Sequence, residues 1–259
     1  MLCCARLACR ISWSRIVRMR ASVELQVKRV DGGLALSWSG GKDSALALWT
    51  LRREGREPGA LLTTVTESHE RISMHGVRRT LLVRQAESVG VRLVEVTIPP
   101  ACSNEVYEQR LEQALAGPGL RGIDAFAFGD LFLDDVRAYR EERLGRAGRR
   151  GLFPIWGRNT TDLAHEFIDA GFEATLVCVD RRKLDPSFAG RSFDEQLLAD
   201  LPPDVDPCGE NGEFHTFVHA GPILIKPIAH TRGEIVERDG FVFCDLIPAE
   251  ASVDHLRLA

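Results

Sequence analysis

The chain contains no C-x-x-C pair, and its seven cysteines, Cys3, Cys4, Cys9, Cys102, Cys178, Cys208 and Cys244, form an odd set. That argues against a disulfide framework and denies zinc or an iron–sulfur cluster its usual ligand spacing, so a reducing cytoplasm is the expected compartment. No apolar run approaches the roughly 20 residues of a membrane span. A positive excess is missing too: the net charge of −4 offers no general attraction to a nucleic-acid polyanion. There is no internal repeat and no low-complexity tract. Acidic residues are absent before Glu24, while Arg6, Arg10, Arg15, Arg18 and Arg20 appear with Ser12 and Ser14. This superficially resembles an organellar transit peptide but lacks the long apolar core of a secretory signal. Residues 1–30 read better as a disordered tail or an over-extended start, with Met19 as the alternative first residue.

What is present is ordinary for a soluble protein: 259 residues, 44% hydrophobic and 27% charged, enough for one large domain or two small ones. From Gly33 onward, apolar runs alternate with helical patterns. Strands are expected at Leu34–Trp38, Ala60–Val65, Arg92–Ile98 and Ala125–Phe128. Helices are expected at Ser44–Glu54, Val77–Val89, Asn104–Ala116 and Asp134–Ala147. Strands separated by helices imply parallel βαβ units, hence an α/β fold with a doubly wound sheet. Near Leu152–Gly157 the composition shifts and a second lobe is expected, giving domains at 31–150 and 151–259. Within it, Thr160-Thr161-Asp162 can cap a helix over Leu163–Ala170. Ala174–Val179, Phe214–Val218, Ile223–Ile228 and Phe241–Leu246 read as strands, with a turn at Asp239-Gly240, and the end of the chain as a small antiparallel addition.

The most informative segment is Ser39-Gly40-Gly41-Lys42-Asp43-Ser44, where the first strand breaks and a helix starts. Glycines let a backbone turn tightly and approach an anion. The first-turn N–H groups and the helix dipole then favour that anion. Lys42 adds a mobile positive charge, and Ser39 and Ser44 add hydroxyl donors. The Walker spacing fails, because Leu36 stands where its first glycine belongs and Asp43 follows the lysine. The hexapeptide instead resembles the signature of PP-loop ATP pyrophosphatases, which cleave ATP between the α and β phosphates.

Other polar residues fall at strand ends, where parallel α/β sheets bind ligands. They are Thr66, Glu67, Ser68 and His69, then Ser73-Met74-His75-Gly76, and Gly129-Asp130. His75 either caps and packs or serves the site. Asp130 either orients Mg²⁺ or a nucleophile, or caps the next helix together with Asp134. Asp43, inside the loop, is the better magnesium candidate. Arg137, Arg140 and Arg143 read as a solvated helix face from which one could reach an anionic substrate. A second dense segment is Asp206-Pro207-Cys208-Gly209-Glu210-Asn211-Gly212-Glu213-Phe214-His215-Thr216. Its carboxylates can bind an ammonium group, hold ammonia or act as a base. Cys208 reads as structural or incidental.

Together these segments resemble the diphthine–ammonia ligase family, a branch of the PP-loop enzymes. The similarity runs from about Leu34 to about Pro222 and includes Met74-His75, Gln85–Val91, Pro154–Arg158, Asp185 through Arg191 and Gly209–Val218. The resemblance implies a HUP-type nucleotide-binding domain and a smaller C-terminal α+β domain. It implies ATP and Mg²⁺ as cofactors, and adenylation of the diphthine carboxylate on elongation factor 2 followed by displacement of AMP by ammonia. It places Ser39, Gly40, Gly41, Lys42, Asp43, Ser44 and His75 at the nucleotide. Gly129, Asp130, Glu210, Asn211, Gly212, Glu213 and Thr216 fall at the acceptor. Lys42, Asp43, Asp130, Glu210, Glu213 and His215 then carry the chemistry. Asn211 and His215 depart from archaeal-type members, and the Arg- and Ala-rich composition suits a bacterial member. A PP-loop enzyme acting on another small molecule or on tRNA, and a nucleotide-binding module without ligase chemistry, are the alternatives. A homo-oligomer is left open.

Overall fold

The computed structural model describes residues 33–67, 71–72 and 75–249. The expectations for residues 1–30, and for Ser68, His69, Ser73 and Met74, lie outside the described residues.

Five strands of the first sheet run parallel: β1 (Gly33–Ser37), β2 (Ala60–Thr66), β4 (Leu93–Ile98), β5 (Ile123–Ala127) and β6 (Arg150–Leu152). Their spatial order is β4-β2-β1-β5-β6, and the short β3 (Arg71–Ile72) pairs antiparallel with the end of β2. The order reverses between β1 and β5, which makes their carboxyl ends the crevice of a doubly wound sheet. Helices α1 (Lys42–Arg53) and α2 (Arg79–Val89) pack on one face, where Leu34, Leu36, Leu61 and Ala125 point. Helices α3 (Asn104–Ala116) and α4 (Asp134–Arg146) cover the other, over Ala35, Leu62, Val96 and Phe126. This alternation is the two-residue period of a strand buried on both sides.

A second sheet is antiparallel, in the order β8 (Phe214–Ala220), β7 (Glu173–Asp180), β10 (Phe241–Pro248), β9 (His230–Arg238). Two further helices accompany it, α5 (Thr160–Asp169) and α6 (Glu195–Asp200). The β9–β10 hairpin turns at Asp239 and Gly240, both with positive φ, as a two-residue turn matched to strand twist demands. The expected α/β class, with a mostly parallel doubly wound sheet and a smaller antiparallel unit, is what the structure has.

Two local expectations are corrected, and one strand is added. Ile223–Ile228 is not a strand. Pro222 precedes it and Pro227 lies within it, Ile223 and Ile228 are buried while Ile225 is 82% exposed, and Ser88 holds it through both the N–H and the carbonyl of Lys226. Asn159 is the residue that caps α5, accepting from the Asp162 N–H at 3.0 Å, so the Thr160-Thr161-Asp162 stretch is already inside the helix. The added strand, β9, has no apolar signature, because Arg232, Glu234, Glu237 and Arg238 break its pattern at an exposed sheet edge.

Candidate active site

The Ser39–Ser44 loop forms because β1 ends at Ser37 and α1 begins at Lys42, with Gly40 at φ +78° between them. Gly41 caps α1 without any side-chain hydrogen bond. The Gly41 N–H donates to Ser39 Oγ at 3.2 Å, and the Lys42 N–H to Thr216 Oγ1 at 3.0 Å. Ser44 Oγ lies 3.3 Å from Ser39 Oγ and donates to the Gly41 carbonyl at 2.9 Å. Hydroxyls thus hold two loop donors, and a hydroxyl can rotate to donate to an arriving anion instead.

Lys42 is only 2% exposed, and its Nζ contacts Asp43 Oδ1 at 2.6 Å. It also lies 6.0 Å from the ring of Phe193 and 5.8 Å from that of Phe214. Burial pulls its pKa down, but its neighbours, the Asp43 charge first, together outweigh that and leave it raised, so the ammonium persists. Asp43 stays 32% exposed. Among the described residues no three His, Cys, Asp or Glu side chains gather as a metal cage. The single loop carboxylate nevertheless suits Mg²⁺ carried on nucleotide phosphates, because that ion needs only one or two protein carboxylates.

At the end of β5, a Cβ on Gly129 would lie 2.7 Å from the Asp43 carbonyl carbon. Glycine here lets the first turn of α1 press directly on the neighbouring strand end. Asp130 pairs with Arg140, Oδ2 to Nε at 2.6 Å and Oδ1 to Nη2 at 3.1 Å, and Arg140 stacks 4.4 Å from the Phe128 ring. Helix α4 is capped at Leu133 with no side-chain bond, so Asp130 does not cap it. Arg143 instead joins α4 to α3 through Glu108 and Glu112, and Arg137 stacks on Phe153 and Trp156. A cavity of about 350 Å³ lies between α3 and α4, lined by Ser37, Thr64, Tyr107, Phe126 and Phe128 among others, on the sheet face away from α1.

The second segment folds back on the first. Glu210 accepts the Leu131 N–H at 2.8 Å, just beyond the end of β5. Burial raises its pKa to about 7, despite the opposing pull of that hydrogen bond and with help from the Asp43 charge. Glu213 is 3% exposed, and its Oε1 accepts from the Asp206 N–H and the Asn211 amide. Asp206 Oδ2 accepts the Cys208 and Glu210 N–H groups and so shapes the turn. Cys208 is buried, its thiol donates to the Thr160 carbonyl at 3.3 Å, and burial pushes its pKa up to about 12. It is no nucleophile at neutral pH. The rings of His75 and His215 stack with centroids 4.5 Å apart. Burial holds His215 down to about 4 and, with the His215 charge second, holds His75 well below the usual range, so both are neutral at pH 7.

Ser39–Ser44, His75, Glu210, His215 and Thr216 therefore meet at one place, with Gly129 pressed beneath α1 and Asp130 held by Arg140. Glu213 and Asn211 turn toward each other within their own loop. Gln85, not among the residues the sequence singles out for the site, also reaches the loop. It is fully buried on α2 beside Leu81, Leu82, Ala86 and Val89, and its amide bonds Trp38, Gly40 and Val218. A glutamine on the apolar stripe of a helix was the available signal.

A family model described as Diphthamide synthase N-terminal domain matches residues 33–150, and one described as Diphthamide synthase C-terminal domain matches residues 159–246. A Rattus norvegicus protein named diphthine–ammonia ligase is 26% identical over 85% of this chain and 88% of its own length. The Mus musculus protein of that name is 25% identical over the same shares, and the Homo sapiens one 26% identical over 66% of each. The first match contains the Ser39–Ser44 loop and the second the Glu210–Thr216 segment folded against it, and the chain belongs to the diphthamide synthase family.

Proposed function

We propose that this chain is an ATP-dependent, AMP-forming amide ligase that joins a carboxylate of diphthine type to ammonia. Residues 31–150 bind the nucleotide and residues 151–259 the acceptor. A carboxylate oxygen attacks the α-phosphorus of ATP, the bond to the β-phosphate oxygen breaks and pyrophosphate leaves. Ammonia then adds to the acyl carbon, loses a proton, and AMP departs. The observation that carries this reading is the closure of the Ser39–Ser44 loop against β8 and the Glu210 turn. It puts a phosphate cradle, a buried ammonium and a carboxyl of pKa about 7 in one site.

Each residue has work suited to its setting. The loop N–H groups and Lys42 stabilise charge developing on the leaving pyrophosphate, more effectively in a dry site than in water. Mg²⁺ bound to the phosphates and Asp43 would neutralise further charge there. Glu210, half ionised near pH 7, can take the proton released when ammonia adds. The neutral His75–His215 stack and Phe214 exclude water, which would hydrolyse an activated acyl group. The relatives' name, diphthine–ammonia ligase, supports both acceptor and nucleophile.

The protein is incubated with ATP, Mg²⁺, ammonia and a diphthine-bearing acceptor, and the nucleotide products are separated. AMP and pyrophosphate that appear only with the acceptor support the ligase; ADP and phosphate would sink it. Lys42→Ala should lower the rate by about a hundredfold or more, the scale of a lost transition-state donor. Restoration of diphthamide in cells lacking their own ligase tests the acceptor.

A further inference from the structure

We propose that Gln85 is a positioning residue for ATP: its amide aims the phosphate loop's N–H groups at the phosphates by fixing the Gly40 peptide against the second sheet. The inference rests on the nucleotide-binding reading above.

Gln85 sits at zero exposure on α2 and uses both ends of its amide. Oε1 accepts from Trp38 Nε1 at 2.8 Å, while Nε2 donates to the Gly40 carbonyl at 3.0 Å and to the Val218 carbonyl at 2.7 Å. An indole can only donate and a carbonyl can only accept, so the partners dictate which way the amide faces. The Gly40 carbonyl receives a second bond from the Val218 N–H at 2.9 Å. It is pinned inward, away from the loop's open side. In a planar trans peptide the N–H lies opposite the carbonyl. Pinning the Gly40 carbonyl therefore directs the Gly41 N–H outward, toward Ser39 Oγ.

Glycine at 40 belongs to the same device. Its φ of +78° turns the peptide, and a Cβ there would lie 2.8 Å from Gln85 Oε1. The three partners come from the end of β1, from the loop and from β8, the strand that also supplies Thr216 to the Lys42 N–H. One buried amide thus registers the loop against the strand that closes the site. An apolar side chain would fill the space but leave the Trp38 N–H and the Val218 carbonyl without these bonds. A carboxylate would face both carbonyls with acceptors only.

Equilibrium binding of ATP with Mg²⁺ is measured for wild type, Gln85→Met, Gln85→Glu and Trp38→Phe, alongside their thermal midpoints. Gln85→Met keeps the length and apolar packing of the side chain. Its Kd for ATP should rise about tenfold, the scale of one or two lost buried hydrogen bonds, and that of Gln85→Glu further. Trp38→Phe removes the donor to Oε1 and part of a buried ring but leaves both Nε2 bonds, so its Kd should stay within about threefold even where its midpoint falls as far. This separation of affinity from stability is what a merely structural Gln85 would not give. If Gln85→Met fails to fold, Gln85→Asn, which keeps the amide but shortens its reach, takes its place. Wild-type binding with an unchanged Kd in the Gln85 variants overturns this inference alone, as does an equal loss in Trp38→Phe. Wild type that binds no ATP overturns the nucleotide reading and this inference with it.

Discussion

Glu210 and His215 lie close together in sequence, and burial displaces both pKa values with opposite consequences for charge. Burial raises the Glu210 carboxyl to about 7, and burial lowers the His215 imidazole to about 4. Each is thereby neutral over more of the pH range than in water. For a carboxyl raised in the folded state, the protonated form favours folding, so its contribution is lost as pH climbs from about 4.5 through 7. For the lowered imidazole the contribution is present above about 6.5 and lost as pH falls toward 4. Two outcomes follow for Glu210→Gln. Its melting temperature relative to wild type should be higher at pH 8 than at pH 5, since only wild type must bury a carboxylate at the higher pH. The alkaline-rising limb of amide formation, with apparent pKa about 7 in wild type, should flatten. A rate profile that keeps that limb in the variant assigns the base elsewhere.

At the scale of elements, the contact between the end of β5 and the start of α1 governs how the loop is presented. Gly129→Ala would drive a Cβ against the Asp43 backbone, which unlike a side-chain tip has no easy way to move. The expected cost is about 1–3 kcal/mol of stability, as for other overpacked sites. Weaker ATP binding should accompany it, because α1 must shift. Chemical denaturation and ATP titration of the same variant check both parts, and an unperturbed midpoint would show that the strand end yields. Most helices and parallel strands were legible from periodicity, since Asn104–Ala116 and the strands starting at Ala60 and Leu93 carry strong local patterns. β3 and β6 are too short to show a period, and β9 is polar at an exposed edge. Ile223–Ile228 is apolar enough to read as a strand, but Pro222 just before it and Pro227 within it lack the N–H groups a ladder needs.

The two sheets of the described residues share one large core. A single cluster of buried residues links Leu34 and Leu36 of β1 and Leu48 of α1 with Phe167 of α5, Leu176 of β7, Phe217 of β8 and Leu246 of β10. Polar ties cross the same boundary, with Asp245 of β10 bonding Arg71 and Arg78, and Arg52 reaching the Ile223 carbonyl. Separating the sheets would expose that core. Thermal unfolding should therefore be a single transition, coincident by far-UV and near-UV circular dichroism, and residues 33–150 alone should not fold stably. Two resolved transitions would show that the sheets unfold as separate units.

The sequence by itself determined the parallel α/β plan and the glycine-rich Ser39–Ser44 loop between β1 and α1, because periodicity, glycines and a strand-to-helix switch act over a few neighbouring residues. It also marked Glu210–Thr216 as chemically dense. Only the tertiary structure decided what those residues face. Lys42 is buried against Asp43 and two aromatic rings, Asp130 holds Arg140, and Glu213 serves its own turn. Thr216 and Gln85 meet the loop across separations of 174 and 45 residues. Such contacts depend on how α2 and β8 pack against β1, and no local pattern in the chain encodes that.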